Sequence, residues 1–430
     1  MNNLTLLLLT TLAFVALIDY VPKLINASKP LIRVKPGYDK KPNYLLMPTV
    51  YGDISYLKNV RFLKKYADKV IICTSRYETK EFYSDLRAIC KANGLRYITV
   101  DLPKTGGQPI KNAYTIYKGA FSNPRRLGVP RSTPCILIDA DTDSPKNLNN
   151  LVRTFNKNGL DIASLRCEVK NPRKLFEVLQ AYEYRLAMDN RRSDSWLTSG
   201  ACNIAKASVF RHVFKHHSNF FAGGDIEIGK LAHIMGYRVG HISFTFYTEV
   251  PANFGEWYRQ RVIWFAGGVR HHVVNIGSFS WQHYFILFYN SLLVYLLLPL
   301  RWLEFVNYPL TFFLLTCIAW LYMFVANIGR GWRKEYLLFP AYAFLQSMVI
   351  LPVAMVRYVK YAWQQRSLGI LQFDLSHLRL RLQLSFRALN FALTFLVVFS
   401  AGYFTEQRMV YWSDHGRLHT LMSTVFSNLL

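Results

Sequence analysis

Five long apolar stretches constrain the fold of this 430-residue chain more than any other feature. Each approaches the roughly 20 residues needed to cross a bilayer, a length that helices of soluble domains seldom reach without charged residues. They span residues 4–21, 284–300, 308–328, 336–356 and 388–404. The stretch between the first two is mixed and charged. The pattern therefore predicts a soluble domain inserted between membrane-embedded helices.

The first apolar stretch has no basic region before it and no small-residue cleavage pattern after it. Basic residues follow it directly, and such residues favour the cytoplasmic side of a membrane. We therefore predict an integral protein of the plasma or inner membrane, with a retained anchor and a cytoplasmic domain. The predicted parts are an anchor (1–22), a linker (23–42), the cytoplasmic domain (43–270), transmembrane and interfacial helices (271–410) and a tail (411–430).

The charge balance indicates the kind of partner. The net charge of +26 comes from 52 Lys and Arg residues against 26 Asp and Glu residues. This excess suits contact with the anionic lipid bilayer and with anionic substrates. The basic residues are dispersed rather than clustered, so we do not expect nucleic-acid binding. The six cysteines show no paired close spacing and are expected to be reduced core residues.

Short apolar runs alternate with charged, helix-compatible stretches inside the soluble region. This alternation predicts an α/β domain with a parallel-rich sheet and helices on both faces. The predicted strands cover residues 44–47, 70–73, 97–100, 136–138 and 162–165.

Asp139 and Asp141 stand at the carboxyl end of the fourth predicted strand. Alternation along the strand points both carboxylates to one face, where they can share a divalent cation, and Asp143 could add a third oxygen. Such a cation usually completes its shell with phosphate, so a phosphorylated or nucleotide-linked substrate is implied. The alternative is that the pair only caps the following turn, with Ser144-Pro145 opening a helix.

Further motifs follow Asp139-Ala140-Asp141 in a fixed order. They are Ser199-Gly200-Ala201, the Gly-rich 223–229, Gly236-Tyr237-Arg238-Val239 and Gln260-Arg261-Val262-Ile263-Trp264. In this order they resemble the membrane-integrated family 2 glycosyltransferases, which include cellulose, chitin and hyaluronan synthases and, more distantly, ceramide glucosyltransferase. The resemblance covers about residues 44–268. It implies a GT-A-type domain, a nucleotide-sugar donor and Mg²⁺ or Mn²⁺ as cofactor.

The resemblance assigns roles to three carboxylates. Asp139 and Asp141 match the family's metal-binding pair, and Asp225 matches its catalytic Asp, which would take the proton of the acceptor hydroxyl. The Glu that precedes this Asp in the family is Gly224 here. Glu227 is a weaker candidate for the base, and the alternative is that Asp225 merely caps a helix.

The Gln-x-x-Arg-Trp signature is only partly matched. Gln260 and Trp264 lie four residues apart, on one helical face, where the Trp ring can hold the acceptor sugar. The family's Arg is Ile263 here, so Arg261 or Arg259 would have to contact the donor diphosphate, or that contact is missing. For Trp264 alone, packing in the core or at the membrane interface is the alternative.

Donor binding is assigned to the first part of the domain. Tyr51 and Asp53 resemble the turn that holds the nucleoside, because a ring beside a carboxylate suits a base and a ribose. Thr74-Ser75 stands where the family often has an Asp pair, which weakens the case for UDP. Lys111 lies in a segment that resembles the diphosphate-binding one, with a solvated lysine at a helix start as an equal alternative.

Trp363 and Arg366 resemble the ends of the Trp-Gly-Thr-Arg gate element of the polysaccharide synthases. If every apolar stretch crossed, the basic 357–387 would lie outside, against the positive-inside tendency. Either 336–356 is bent or re-entrant, or 284–300 lies in the interface. We favour a cytoplasmic 357–387.

Three functions remain open after these assignments. The first is an inverting transferase that moves a sugar from a nucleotide-sugar donor, UDP-linked by first expectation, to a growing polysaccharide and exports it through its own helices. The second adds one sugar to a membrane lipid, because Pro109 to Asn112 resembles the matching stretch of ceramide glucosyltransferase. The third is a non-catalytic membrane scaffold, favoured by the departures at Thr74-Ser75, Gly224 and Ile263.

Overall fold

The computed structural model describes residues 31–37, 41–122, 127–217, 224–274 and 331–364, with single helical positions between 310 and 324. The chain separates into two compact units. One comprises Pro22–Val274 and Gly329–Leu378, and the other Met1–Val21, Asn275–Ile328 and Arg379–Leu430. The predicted spans at 4–21, 284–300 and 388–404 lie outside the described residues.

A mixed eight-stranded sheet forms the centre of the first unit, in the order β1-β10-β8-β9-β7-β2-β3-β4. Its strands, with a separate hairpin of β5 and β6, are β1 (Ile32–Arg33), β2 (Leu45–Thr49), β3 (Ile71–Ser75), β4 (Arg96–Val100), β5 (Lys104–Thr105), β6 (Gln108–Pro109), β7 (Pro134–Asp139), β8 (Ile162–Val169), β9 (Cys202–Lys206) and β10 (Val239–Thr248). Only β9 runs antiparallel to its neighbours, β7 and β8. The predicted parallel-rich α/β sheet is therefore confirmed, and it fits a GT-A-type fold.

Helices cover both faces of this sheet. Two separate apolar cores result, because alternate residues of one strand point to opposite faces. In β7, Ile136 and Ile138 belong to one core, whereas Cys135 and Leu137 belong to the other. The helices are α1 (Val60–Lys64), α2 (Lys80–Asn93), α3 (Ala113–Ser122), α4 (Leu148–Lys157), α5 (Leu175–Ser193), α6 (Ala207–His216), α7 (Gly224–Ile234) and α8 (Phe254–Val274).

One edge of the sheet collects the segments that carry the predicted site. The parallel strands β2 and β7 end there together, because Thr49 pairs with Asp139. The antiparallel β9 begins at the same edge, where the Asp139 N–H donates to the Ala201 carbonyl at 3.2 Å. An open α/β sheet binds its ligands at the carboxyl ends of its parallel strands, so this edge is the expected site.

A ninth helix, α9 (Lys334–Gln364), packs against α8. By length and composition it is long and apolar enough to cross a membrane, and it is the one helix of that kind among the described residues. The Trp257 indole of α8 donates to the Tyr342 hydroxyl of α9 at 2.9 Å. A π-helical turn, Leu345–Ile350, comes just before Pro352, whose ring cannot follow regular α geometry. The helix is thus locally distorted within the predicted 336–356.

Candidate active site

The turn after β7 presents Asp139 and Asp141 and is held by the loop that follows β2. The Asn59 side-chain amide donates to the carbonyls of Asp139, at 3.1 Å, and Thr142, at 2.8 Å. The backbone N–H groups of Lys58 and Asn59 both donate to the Ala140 carbonyl. These bonds fix the backbone of the turn, so the carboxylates project from a rigid base.

Asp141 and Asp143, the last two acidic residues of the turn, have different surroundings. Asp141 Oδ1 accepts from the hydroxyls of Thr248, at 3.1 Å, and Thr142, at 3.3 Å. The Asp143 carboxylate instead lies 2.6 Å from Lys170 Nζ. Asp143 therefore pairs with a lysine, and a third oxygen from this residue stays a prediction.

Asp225 reaches the same edge from the first turn of α7. Its Oδ2 accepts from the Gly200 N–H at 3.0 Å, and Arg191 Nη2 lies 3.9 Å away. The Thr198 hydroxyl donates to the Asp225 carbonyl and accepts from the Gly229 N–H. The Ser199-Gly200-Ala201 segment at the start of β9 thus joins Asp225 to β7.

The electrostatics show that these carboxylates lie close together. Burial, with repulsion from Asp141 and Asp225, raises the pKa of Asp139 well above its ordinary value. Burial also raises the pKa of Asp141, against the effect of its two hydroxyl bonds. Bringing negative charges together in a buried place is costly unless a cation balances them.

These two hard oxygen donors fit a divalent cation such as Mg²⁺ or Mn²⁺. Among the described residues, no group of three or more His, Cys, Asp or Glu side chains is arranged to hold a metal by itself. Asp139 and Asp141 would supply two of the oxygen ligands of such an ion.

Two tyrosines border the carboxylates. Burial raises the pKa of Tyr51 to about 12, with contributions from the charges of Asp139 and Glu78. Burial also raises the pKa of Tyr114 well above its ordinary value, with Asp225 and Asp139 as the next causes. Both phenols therefore stay neutral at physiological pH. Tyr51 was predicted as a site residue, whereas the sequence analysis did not single out Tyr114.

Asp53, predicted to bind the donor, has a local bond of its own. Its Oδ1 accepts from the Ser55 N–H at 2.8 Å and caps the short 3-10 helix Ile54–Tyr56. These bonds lower the pKa of this exposed carboxyl. The residue therefore stabilises the loop after β2.

Lys111 meets a carboxylate that the sequence analysis missed. Its Nζ lies 3.0 Å from Glu78 Oε2, which also accepts from the Gly52 N–H at 3.1 Å. The Glu78 side chain is only 2% exposed, and its Oε1 has no hydrogen-bond partner among the described residues. Glu78 follows β3, near the expected Asp pair, and its place after a buried strand was the available signal.

The signature on α8 surrounds a buried arginine. Arg261 Nη2 lies 2.8 Å from Glu183 Oε2 on α5 and 3.2 Å from the Tyr342 hydroxyl on α9. Its guanidinium also lies over the Trp264 ring, 4.3 Å from the centroid, and that Trp is 40% exposed. Arg261 is therefore engaged in a buried ion pair, which differs from the predicted contact with a diphosphate.

The structure also locates the predicted residues Gln260, Glu227 and Trp363. Gln260 is half-buried on α8, and its Oε1 has no partner in the described part of the chain. Glu227 is fully buried, 3.7 Å from His217 Nε2, so its carboxylate is not open to a substrate. Trp363 is 69% exposed near the end of α9. Arg366 lies outside the described residues.

Tyr184 connects the α8 signature to the carboxylates. Its ring centroid lies 6.2 Å from that of Trp264. Burial raises the pKa of Tyr184, and the charges of Arg261 and Asp139 both act on its hydroxyl. Tyr184 is therefore the residue between the Trp264 ring and the charge of Asp139.

Residues 135–328 match the family model described as "Glycosyl transferase family group 2". This match indicates a nucleotide-sugar-dependent transferase of the family 2 kind. The matched region holds Asp139, Asp141 and Asp225. The match supports the family predicted from the motifs, and the polysaccharide synthase subtype stays a prediction.

Other comparisons add little. A solved structure described as a putative glucose-1-phosphate thymidylyltransferase from Bacillus anthracis, in complex with sucrose, resembles 50% of this chain and 92% of its own. The identity is 10% and the TM-score 0.30, which is too low to define the fold or the function. No curated protein matches the sequence.

Proposed function

We propose that this enzyme is an inverting polysaccharide synthase that transfers a sugar from a UDP-linked donor in one displacement. The observation that carries the proposal is the convergence of Asp139, Asp141 and Asp225 at one edge of the sheet. Two carboxylates suit a cation, and a third, which accepts from a backbone N–H and lies 3.9 Å from an arginine, suits a proton acceptor.

Asp139 and Asp141 would hold Mg²⁺ or Mn²⁺, because two carboxylates at the carboxyl end of a buried strand offer the hard oxygen ligands that such a cation takes. When bound, the ion would neutralise the donor diphosphate as it leaves. Tyr51, whose hydroxyl is influenced by the charges of Asp139 and Glu78, would stack on the base of the nucleoside, and Lys111 is held against Glu78.

Asp225 would remove the proton of the acceptor hydroxyl as its oxygen attacks the anomeric carbon. The Gly200 N–H donates to Oδ2 of this carboxylate at 3.0 Å and holds it in place at the edge of the sheet. Trp264 offers an exposed ring for the acceptor sugar. Glu227 is closed to substrate by burial, which leaves Asp225 as the base.

The proposed product path leads into the membrane. The exposed side of α9 carries Val353, Val356, Val359 and Trp363, so this helix presents apolar surface next to α8. In this proposal α9 lies in the bilayer, the product is exported through the transmembrane helices predicted from the sequence, and the catalytic domain lies in the cytoplasm. The same apolar surface favours a second candidate, the transfer of one sugar to a membrane lipid.

A donor panel tests the function directly. Purified protein with MnCl₂ is incubated with labelled UDP-glucose, UDP-N-acetylglucosamine, UDP-glucuronate and GDP-mannose. An ethanol-insoluble polymer supports the synthase, and an organic-extractable product supports the lipid acceptor. Absence of transfer from every donor would favour the non-catalytic scaffold.

Asp225→Asn tests the base, and Asp85→Asn is the matched control. Asp85 is exposed on α2, so the same change there should leave transfer unchanged. The Asp225 variant should lose about 10²- to 10⁴-fold in kcat and keep its affinity for UDP. Turnover at the wild-type rate would show that another group accepts the proton.

A further inference from the structure

Gly224 replaces the acidic residue that precedes the catalytic Asp in related enzymes, and the structure explains why a side chain is excluded there. A Cβ at position 224 would lie 2.7 Å from His217 Cε1 and 2.8 Å from Tyr114 Cδ2. Both distances are too short for real contacts, so the two rings fill the space that a side chain would need.

The rings of Tyr114 and His217 form a fixed pair. They are stacked, with centroids 5.3 Å apart and planes 23° from parallel. The His217 ring is anchored in turn, because its Nε2 lies 2.8 Å from the Gly224 carbonyl. Packing against His217 and the N-terminal end of α7 therefore fixes the position of the Tyr114 ring.

The Tyr114 hydroxyl emerges from this pair beside the catalytic carboxylate. The point where a Cβ of Gly200 would stand is 3.2 Å from the Tyr114 hydroxyl and 3.6 Å from Asp225 Oδ2. Glycine at position 200 leaves that point empty. Among the described residues, the hydroxyl makes no hydrogen bond, although it faces the charges of Asp225 and Asp139.

We propose that Tyr114 is a specificity-determining residue, whose hydroxyl donates a hydrogen bond to a hydroxyl of the transferred sugar. This inference rests on the proposed function. The sugar must lie between the diphosphate side, at Asp139, and the base, at Asp225, and Tyr114 adjoins both. Position 224 has lost the acidic side chain of related enzymes, and the neutral Tyr114 hydroxyl lies beside the base instead. This exchange would change which sugar hydroxyls the site recognises.

Binding of UDP and UDP-sugars tests this contact separately from turnover. Affinities of wild type and Tyr114→Phe are measured by calorimetry with Mn²⁺ for UDP, UDP-glucose, UDP-N-acetylglucosamine and UDP-glucuronate. The variant should bind the preferred UDP-sugar about 5- to 10-fold more weakly, the worth of one hydrogen bond, and bind UDP as wild type does.

Tyr237→Phe is the matched control, because its hydroxyl bonds His212 Nδ1 at 2.7 Å, away from the carboxylates. It should change neither affinity. Phenylalanine keeps the stacked ring, so the thermal midpoint of Tyr114→Phe should equal that of wild type. The inference is overturned if Tyr114→Phe loses affinity equally for UDP and for the UDP-sugar, or if it loses affinity for neither. Failure of wild type to bind any of these nucleotides contradicts the proposed function instead.

Discussion

Arg261 Nη2 and Glu183 Oε2 lie 2.8 Å apart and join α8 to α5 next to the exposed Trp264. The Arg261 side chain is 1% exposed and that of Glu183 is 29% exposed. A buried charge is stable only while its partner remains, so this pair fixes the helix that carries the signature residues.

Glu183→Gln should leave the buried Arg261 guanidinium without its carboxylate partner. We expect the free energy of unfolding to fall by about 3 kcal/mol, which is the low end for a broken buried pair, because Glu183 is partly exposed. The thermal or denaturant midpoint measures the loss. Arg166 and Glu168 provide a control pair, 2.5 Å apart and about a third exposed. Glu168→Gln should cost less than about 1 kcal/mol. Equal effects would mean that burial does not distinguish the two pairs.

Asp139→Asn should stabilise the metal-free protein while abolishing transfer. The pKa of Asp139 is raised, so the folded protein holds the proton at pH values where the unfolded chain has lost it. Stability of the metal-free wild type should therefore fall as pH rises from the ordinary carboxyl range through the raised value. The variant lacks this fall, so its thermal midpoint should exceed that of wild type at pH 7 and converge with it in acid.

Binding of Mn²⁺ is a second test of the assignment of Asp139 as a metal ligand. It should raise the midpoint of wild type by binding the folded state and leave that of Asp139→Asn nearly unchanged. Asp143→Asn is the control, because Asp143 pairs with Lys170 outside the proposed metal site. That variant should keep the response to Mn²⁺. A full response in Asp139→Asn would place the ion elsewhere.

Much of the sheet could be predicted because buried parallel strands are continuous apolar runs. Cys135 to Ile138 and Ile71 to Cys73 are such runs, and both are strands. Three strands of the eight-stranded sheet were missed for physical reasons. β9 is short, with Asn203 and Lys206 among apolar residues, and β10 has polar residues and a glycine within it, so neither is a continuous apolar run. Ile32–Arg33, inside the predicted linker, is too short to signal a strand and pairs with β10.

The places of the candidate carboxylates were predictable because strand ends and helix starts can be recognised locally. Asp139 and Asp141 stand at the end of β7 and Asp225 in the first turn of α7, whereas their roles stay predictions. Arg261 was less predictable, because its partner Glu183 is 78 residues away along the chain. Tyr114 was missed for the same reason, since its neighbour His217 comes from a different helix. Distant pairs depend on helix packing, which local patterns do not encode.

Gly229→Ala should damage both stability and activity. A Cβ there would lie 2.0 Å from the Trp196 carbonyl oxygen and 2.9 Å from Thr198 Cγ2. Thr198 holds the Asp225 backbone, so relief of the clash must displace the base. We expect a loss of about 1–3 kcal/mol or more in unfolding free energy, and lower kcat. Gly255→Ala, with only Asn253 Oδ1 at 3.8 Å, should be neutral in both assays.

Trp264→Ala should weaken acceptor use without unfolding the protein. The ring is 40% exposed, so part of it is open to a sugar, and the alanine variant removes this aromatic surface from the acceptor. We expect the acceptor KM of Trp264→Ala to rise up to about tenfold, which is the worth of one aromatic contact. Trp264→Phe should keep part of this contact and show a smaller rise. Trp332→Ala is the control, since that Trp is 42% exposed and packs edge-on against Tyr336, away from α8. If both alanine variants raise the acceptor KM equally, or if only kcat falls, the ring at position 264 does not hold the acceptor.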